Sequence, residues 1–432
     1  MKELNYFKDE IQKCSKCGLC QSVCPVYKVT GNDCSVSRGK FIMLNGILKG
    51  DLKLNKNVNK YLDMCLKCNA CKDFCPSDID ARKIFLAAKS EYFKTCPSAR
   101  LIKGFQSKLV FNSVLKLMKI ATNTYRFLRL DKLARKFYPL LQKFELGKKA
   151  ILANEFIGGI VIPPYRSSNC HAELVSASNQ HRPLDRSRNK FGMTQHRETI
   201  IYFEGCVNKF INPKVKKASG RILAQINAEV LPIKFDCCGV PFLSCGNVEQ
   251  FVEQAMYNLS QIPDEFDYFI TDCASCQNAF EEYKNYIEDE KLLEKLNKIL
   301  EKSINVNEFI IKNINGVEFK EKTSFTFHKP CHLENTDFIE EFLAKSKNIE
   351  YIEMKEYDKC CGFSGEFAIK NPKISKQISA QKARNANDTN ADYILTSCPS
   401  CLLGLTQGQT EISTSTPVLN FVELISMAEK IY

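Results

Sequence analysis

The sequence contains two cysteine runs of identical spacing, CSKCGLCQSVCP at residues 14–25 and CLKCNACKDFCP at residues 65–76. Each run has three thiols at steps of three residues and a fourth, followed by proline, four residues further on. Three thiolates so spaced on a looping backbone converge on three corners of one iron–sulfur cube, while the fourth ligates the other cluster. The spacing therefore predicts two [4Fe–4S] clusters.

This crossed arrangement predicts the ligands of both clusters. The first cluster is assigned Cys14, Cys17, Cys20 and Cys75. The second cluster is assigned Cys65, Cys68, Cys71 and Cys24. Structural zinc is the alternative, but its usual pattern is two separated CxxC pairs rather than a run of four. Because the segments around the runs have apolar residues at helical spacing, we expect a mostly helical two-cluster domain over residues 1–98.

The composition points to a reducing compartment. The chain of 432 residues has 22 cysteines, and its start lacks the apolar segment of a signal peptide. No stretch approaches the 18 or so apolar residues of a membrane span. We therefore expect a cytoplasmic protein in which the cysteines bind metal rather than form disulfides.

The net charge of +12 is concentrated in one segment. Residues 100–150 contain thirteen lysines and arginines against only Asp131 and Glu145. We expect residues 99–164 to form a basic helical connector with an apolar stripe. Such a helix can lie on an anionic membrane surface at the inner face of the cell membrane. The alternative is a linker helix that packs on its own protein and has solvated charges.

Residues 165–197 differ in style from the rest of the chain. They lack apolar periodicity and carry three of the five histidines, which predicts an inserted flexible loop. The spacing of the metal-binding side chains in this loop matches no known ligand pattern, so we expect no metal site there.

The remainder is an internal duplication, with copies at residues 198–318 and 319–432. Corresponding cysteines in the two copies are 123 to 125 residues apart. Cysteines follow short apolar runs such as YFEGC and YILTSC, which is where α/β folds place ligands, at the carboxyl ends of strands. Helical patterns at residues 247–261 and 282–300 complete an alternating strand–helix order. We therefore expect an α + α/β protein: the helical domain followed by two α/β cysteine-rich domains.

Each copy offers five thiols for a second kind of site. The first set is Cys206, Cys237, Cys238, Cys273 and Cys276. The second set is Cys331, Cys360, Cys361, Cys398 and Cys401. Five thiols are one more than a cubane needs, so three interpretations stay open: a non-cubane [4Fe–4S] centre, zinc, or a redox dithiol. The glycine after each Cys-Cys pair permits the positive-φ turn that lets both sulfurs approach one centre.

The pattern Cys-x30-Cys-Cys-Gly-x33-Cys-x-x-Cys resembles the cysteine-rich CCG domains of heterodisulfide reductase subunits. Joined to a two-cluster ferredoxin unit, the chain resembles the iron–sulfur subunit of glycolate oxidase and related D-lactate dehydrogenases. The stretches SRGK at residues 37–40 and FHKPCHL at residues 327–333 resemble segments typical of that subunit. In glycolate oxidase subunits the last CxxC pair is often reduced to a single cysteine. Here Cys398 and Cys401 are both present, which favours a full second centre and lactate-type or heterodisulfide-reductase-type relatives.

The resemblance implies an electron-transfer subunit of a glycolate dehydrogenase type of oxidoreductase, with no catalytic residue of its own. Electrons would come from an FAD-linked oxidase subunit acting on glycolate or D-lactate and leave to a quinone or membrane acceptor. Two alternatives are heterodisulfide-reductase-like thiol chemistry at the CCG sites and the iron–sulfur subunit of anaerobic glycerol-3-phosphate dehydrogenase. Zinc in both CCG sites would instead favour a binding scaffold. We expect no nucleic-acid partner.

Other cysteines and histidines have weaker signals. Cys34, Cys96, Cys170 and Cys245 have no counterpart in both repeats, which favours free buried thiols, with Cys245 left open. His328 and His332 flank a cysteine of the second set and could tune it through hydrogen bonds, or simply be loop histidines.

Overall fold

The computed structural model describes residues 3–95 and 197–432. The predicted connector (residues 99–164) and the predicted inserted loop (residues 165–197), except Arg197, lie outside the described residues. The described residues therefore comprise the N-terminal region and the two cysteine-rich domains.

The N-terminal region is helical, as expected. Gly50 ends the helix Ser37–Lys49 with φ of 83°. The Asn55 side chain caps the next helix by accepting from two backbone N–H groups. Leu44, Leu62 and Ile84 are fully buried between these helices. Besides 3-10 turns at Leu4–Phe7 and Asp33–Ser35, the helices are α1 (Lys8–Gln12), α2 (Leu19–Val23), α3 (Pro25–Thr30), α4 (Ser37–Lys49), α5 (Lys56–Asp63), α6 (Ala70–Asp73) and α7 (Ala81–Thr95).

The first cysteine-rich domain is a parallel sheet with the strand order β2-β1-β3-β4. Its strands are β1 (Thr199–Phe203), β2 (Glu229–Val230), β3 (Tyr268–Thr271) and β4 (Ser303–Asn305). Its helices are α8 (Cys206–Phe210), α9 (Pro213–Gln225), α10 (Val240–Cys245), α11 (Val248–Gln261), α12 (Ala274–Tyr283), α13 (Glu290–Glu301) and α14 (Val306–Asn313).

The second cysteine-rich domain repeats this topology with the order β6-β5-β7-β8, and β9 pairs antiparallel with β5. Its strands are β5 (Val317–Phe327), β6 (Ser346–Tyr351), β7 (Tyr393–Thr396), β8 (Val418–Asn420) and β9 (Lys430–Ile431). Its helices are α15 (Asp337–Lys345), α16 (Gly365–Lys370), α17 (Pro372–Asn387), α18 (Pro399–Glu411) and α19 (Phe421–Ile425). The duplicated α/β fold is therefore present.

One predicted element has different bounds. The sequence pattern predicts a single helix over residues 282–300, but α12 ends at Tyr283 and α13 begins at Glu290. The break occurs because the Asp289 side chain accepts a hydrogen bond from Leu292 N, which caps a new helix start.

The two sheets share one hydrophobic core and meet at their carboxyl ends. One continuous cluster contains buried side chains of both domains, among them Ile200, Phe269, Phe325 and Ile425. Just beyond β3 and β7, Ala274 N donates to the carbonyl of Ser397 at 3.3 Å. Because parallel strands collect their following loops at one edge, this meeting brings both sets of cysteines close to each other.

Candidate metal centres

The two cysteine runs of the N-terminal region fold alike. Lys16 and Lys67 have φ near 60°, and Gly18 and Asn69, two residues later, are also left-handed. These turns redirect the chain between successive cysteines. The thiols at steps of three residues can therefore face a common centre.

The first predicted cluster site is brought together by the fold. The four cysteines assigned to it, two of which are Cys14 and Cys75, line one cavity of about 30 Å³. Cys71, assigned to the second cluster, and Arg38 also line this cavity. The backbone N–H of Leu19 lowers the pKa of the exposed Cys17 thiol, which favours the thiolate form that binds metal. The crossed use of Cys75 by the first run is thus compatible with the geometry.

The second predicted site is more buried. Cys24 lies beside Cys65 and Cys68, and Cys71 lies beside all three. Burial raises the pKa of Cys24 to about 11 and that of Cys71 to about 12, because an apolar environment disfavours an isolated thiolate. A cluster of positive iron ions removes this penalty, so the donor set fits an iron–sulfur centre.

The SRGK segment at residues 37–40 supports this second site. Ser37 Oγ donates to Cys71 Sγ at 3.2 Å, and the Lys40 ammonium is buried beside Cys65 and Cys24. Gly39 permits the close approach, since a Cβ there would lie 2.0 Å from the carbonyl oxygen of Asp33. A buried role for Lys40 could not be predicted from its position in the sequence, because a lysine in an amphipathic helix ordinarily indicates a solvent-facing position.

The five cysteines of the first cysteine-rich domain form a connected group. Cys237 Sγ lies 3.4 Å from Cys206 Sγ, and Cys238 is hydrogen-bonded to Cys237 and Cys276. Cys276 in turn contacts Cys273. The predicted positive-φ glycine is confirmed: Gly239 has φ of 85°, and a Cβ there would lie 2.8 Å from Phe251.

The second domain repeats the arrangement. Cys360 is hydrogen-bonded to Cys331 and Cys361, and Cys401 is hydrogen-bonded to Cys361 and Cys398. Hydrogen bonds from neighbouring thiols hold the pKa of Cys361 well below its usual value, as they do for Cys238 in the first domain. Both domains therefore stabilise a thiolate at the second cysteine of the Cys-Cys pair.

The Nδ1 atoms of His328 and His332 have hydrogen-bond partners other than Cys331. His328 is fully buried, and its Nδ1 lies 3.1 Å from the carbonyl oxygen of Tyr357, so that nitrogen carries the proton. Its Nε2 finds no hydrogen-bond partner within the described parts of the chain. One ring nitrogen of His328 lies within 4.8 Å of the sulfurs of Cys361 and Cys401. His328 is thus a further donor that could hold a metal.

His332 instead links the two domains. Its Nδ1 lies 3.2 Å from Ser275 Oγ, and that hydroxyl lies 3.5 Å from Cys398 Sγ. Burial lowers the pKa of His332 to about 4, which leaves the imidazole neutral. This bridge could not be predicted from residue spacing, because it joins residues in different copies.

The three groups of sulfurs beyond the first cluster site are continuous. The Cys68 thiol, from the N-terminal region, is hydrogen-bonded to Cys360 of the second domain. Cys398 of the second domain is hydrogen-bonded to Cys273 of the first domain. A line of contacting thiols therefore runs from the N-terminal region through the second domain to the first.

The two cysteine-rich groups also share a cavity of about 120 Å³. Nine of their ten cysteines line it, the exception being Cys237. Ser275, His332 and Glu366 are among the polar side chains that also line it. Both groups thus face one small internal space.

A network of buried charges fixes the N-terminal region against the second domain. Lys89 Nζ lies 2.7 Å from Asp63 Oδ1 and 2.8 Å from Glu366 Oε2, and only 1% of its side chain is exposed. Glu366 also pairs with Lys67 at 3.4 Å and with Lys370. Burial alone would raise the pKa of Glu366, but the surrounding ammonium groups hold it at about 2. This network keeps Cys68 against Cys360.

The remaining cysteines divide into two groups. Cys34 and Cys245 are free thiols, and Cys245 lies beside Glu366 in the charge network. Burial raises the pKa of Cys245 to about 12, so it is held as a neutral thiol. Cys96 and Cys170 lie outside the described residues.

Two family models match the chain. One described as a cysteine-rich domain matches residues 200–281 and 325–406, and one described as a 4Fe-4S dicluster domain matches residues 10–79. The chain therefore carries a two-cluster [4Fe–4S] domain and two copies of the cysteine-rich domain. Iron–sulfur centres are its cofactors.

The chain is also similar to proteins that are already known. Lactate utilization protein A of Bacillus cytotoxicus is 26% identical over 235 residues, covering 52% of this chain and 98% of the relative. Lactate utilization protein A 1 of Bacillus cereus matches with the same identity and coverage. A hypothetical protein from Helicobacter pylori has a solved structure that covers 91% of this chain and 77% of its own, with a TM-score of 0.41 and 12% identity.

No helix within residues 3–95 and 197–432 has the length and apolar character needed to span a bilayer.

Proposed function

We propose that this chain is the iron–sulfur electron-transfer subunit of a 2-hydroxyacid dehydrogenase, with D-lactate as the favoured substrate of the whole enzyme and glycolate as the alternative. The observation that carries the proposal is the continuous line of thiols from Cys68 to Cys273. Iron–sulfur centres accept and release single electrons, and closely spaced centres pass them on. The names of the Bacillus relatives support lactate over glycolate.

The ligand sets remain those given by the cysteine spacing. We assign the first ferredoxin-type centre to Cys14, Cys17, Cys20 and Cys75, and the second to Cys65, Cys68, Cys71 and Cys24. We assign one further centre to the five cysteines of each cysteine-rich domain. The cavities and contacts described above support these sets. The chain itself is assigned no catalytic residue.

The partners follow from this role. An FAD-linked oxidase subunit would deliver electrons to the N-terminal region, and a quinone or other membrane acceptor would take them from the cysteine-rich domains. Because the second domain touches both other groups of sulfurs, it would be the middle of the path. We place the complex on the cytoplasmic side of the membrane.

A second candidate function is thiol–disulfide chemistry at the cysteine-rich domains. It is favoured by the cavity that both groups of cysteines line. Two one-electron centres facing one space could together cleave a disulfide, which takes two electrons and two protons. The disulfide would then replace the quinone as the electron acceptor.

Metal analysis of the anaerobically purified protein tests the proposed function. We expect about sixteen irons per chain and matching sulfide if all four sites hold four-iron centres, and about eight if only the ferredoxin-type sites do. The Cys361→Ser variant is expected to lose only the iron of the second cysteine-rich site, while Cys34→Ser, a change outside every assigned site, keeps all of it. Zinc in place of iron would contradict an electron-transfer role.

Contact with the membrane through residues 100–150 stays a prediction, because these residues lie outside the described ones. We expect the full chain to float with vesicles that contain anionic lipid at low salt and to dissociate at high salt, since the attraction is between exposed charges. Binding that salt does not change, or no binding, would contradict the electrostatic model.

A further inference from the structure

The two cysteine-rich domains have the same cysteines but different surroundings. Helices α11 and α17 begin at equivalent residues, Val248 and Pro372, and the fourth and seventh residues of each contact the glycine of the Cys-Cys-Gly turn. The eleventh residue is Asn258 in the first copy and Lys382 in the second. A neutral amide in one domain therefore corresponds to a cationic side chain in the other.

The two side chains make different contacts. Asn258 accepts from Asp236 N at 2.9 Å and donates to the carbonyl of Cys237 at 3.1 Å, which fixes the turn of the first centre. Lys382 is only 3% exposed, its Nζ donates to the carbonyl of Glu356, and it interacts electrostatically with Cys360 and Cys361. The second group of thiols thus has a buried cation beside it.

A second difference lies at the end of the first strand of each sheet. Three residues before the first cysteine, the first copy has Phe203 and the second has His328. Phe203 packs among aromatic rings of the core. His328 instead places a ring nitrogen within 4.8 Å of the sulfurs of Cys361 and Cys401, and its Nε2 has no hydrogen-bond partner among the described residues. Replacing thiolate character around iron by imidazole raises its reduction potential, as in centres with histidine ligands.

We propose that the two centres are inequivalent, and that the centre of the second domain has the more positive reduction potential because Lys382 and His328 stand where the first domain has Asn258 and Phe203. A cation near a centre stabilises the added electron. Because Lys382 and His328 are buried, their effect is screened less than that of an exposed charge. The inference rests on the proposed electron-transfer function.

The consequence concerns where an electron rests. The ferredoxin-type centre that Cys68 would ligate would be oxidised and the second cysteine-rich centre reduced, in a one-electron transfer that makes and breaks no bond. The more positive potential would favour that transfer and would disfavour the onward step to the centre of the first domain. Lys382 acts on the reduction potential of the second centre and is not a catalytic residue.

Anaerobic potentiometric titration of the full chain, followed by electron paramagnetic resonance, tests the proposal. The signal of the second centre is identified by its absence in Cys361→Ser. In Lys382→Asn, which introduces the residue of the first copy, the reduced-to-oxidised ratio of that signal at a fixed potential should fall on the order of tenfold, or about 59 mV for a one-electron couple. His328→Phe should shift the signal in the same direction.

Three controls make the result decisive. Lys382→Arg keeps the charge and should leave the signal near its original potential. Lys376 is on the same helix as Lys382 and pairs with Glu411 of α18, so Lys376→Asn removes a more distant charge and should not shift the signal. Lys382→Gln replaces Lys382→Asn if the latter loses iron. An unshifted second-centre signal in iron-replete Lys382→Asn or Lys382→Gln overturns the proposal. Absence of a signal from the cysteine-rich domains alone also overturns the proposal, whereas absence of any iron–sulfur signal from the full chain would overturn the proposed function itself.

Discussion

Replacing Glu366 with glutamine is expected to lower the free energy of unfolding by about 3–5 kcal/mol, because the change leaves three lysines around one remaining carboxylate in a buried network. Glutamine has the shape of glutamate, so the loss comes from charge and not from packing. The depressed pKa of Glu366, about 2 against an ordinary 4.5, corresponds to about 3 kcal/mol and agrees with this range. Anaerobic urea denaturation followed by circular dichroism measures the effect.

The dependence on pH has a defined sign. Because the folded pKa of Glu366 lies below its unfolded value, its contribution is complete above about pH 4.5 and is lost as the pH falls toward 2. The difference in stability between the wild type and Glu366→Gln should therefore shrink only within that acid range. Glu411→Gln, which breaks the more exposed pair with Lys376, is the matched control and should cost less than about 1 kcal/mol. Equal losses in the two variants would contradict the buried network.

Replacing Gly408 with alanine is expected to destabilise the second cysteine-rich domain by about 3 kcal/mol or more. A Cβ on Gly408 would lie 2.2 Å from the carbonyl oxygen of Ser379, so helices α17 and α18 would have to move apart. Ser379 Oγ donates to the carbonyl of Cys361 at 2.9 Å, so the movement would also displace a cysteine of the second group. We therefore expect lower iron content together with lower thermal stability.

Gly220→Ala is the control for this substitution. Gly220 lies in helix α9, and nothing lies within 4 Å of the position that its Cβ would take. Alanine there should be neutral or stabilise the protein by up to about 1 kcal/mol, because glycine is a poor helix former. Wild-type iron content and stability in Gly408→Ala would show that the two helices can separate without cost.

The architecture could be predicted from the sequence because each element carries a local signal. The paired cysteine runs predicted the helical two-cluster domain, and the short apolar runs before Cys206 and Cys398 predicted parallel strands that end at cysteines. Gly239 and Gly362 were expected at positive φ, and they have φ of 85° and 82°. These features depend on residues close together in the chain, where spacing carries geometric information.

What the sequence could not predict depends on distant residues. The contact between Cys68 and Cys360 joins separate domains, and no spacing rule relates them. Lys40 and Lys89 occur in helices where lysine ordinarily indicates solvent, yet both are 1% exposed because carbonyl, thiol or carboxylate groups from other segments surround them. The same holds for Glu366, whose partners come from α7 and from the second cysteine run.

The contact between Cys273 and Cys398 joins equivalent positions of the two copies. A residue that touches its own counterpart lies on the axis of an isologous pair, as in a dimer with twofold symmetry. In a dimer of identical subunits, a lysine beside one centre would have to stand beside the other as well. Fusion of both copies in one polypeptide removes that requirement. The two copies in this chain thus pack like the subunits of a homodimer. As in a heterodimer, each copy can carry different residues beside its centre and so give that centre a different reduction potential.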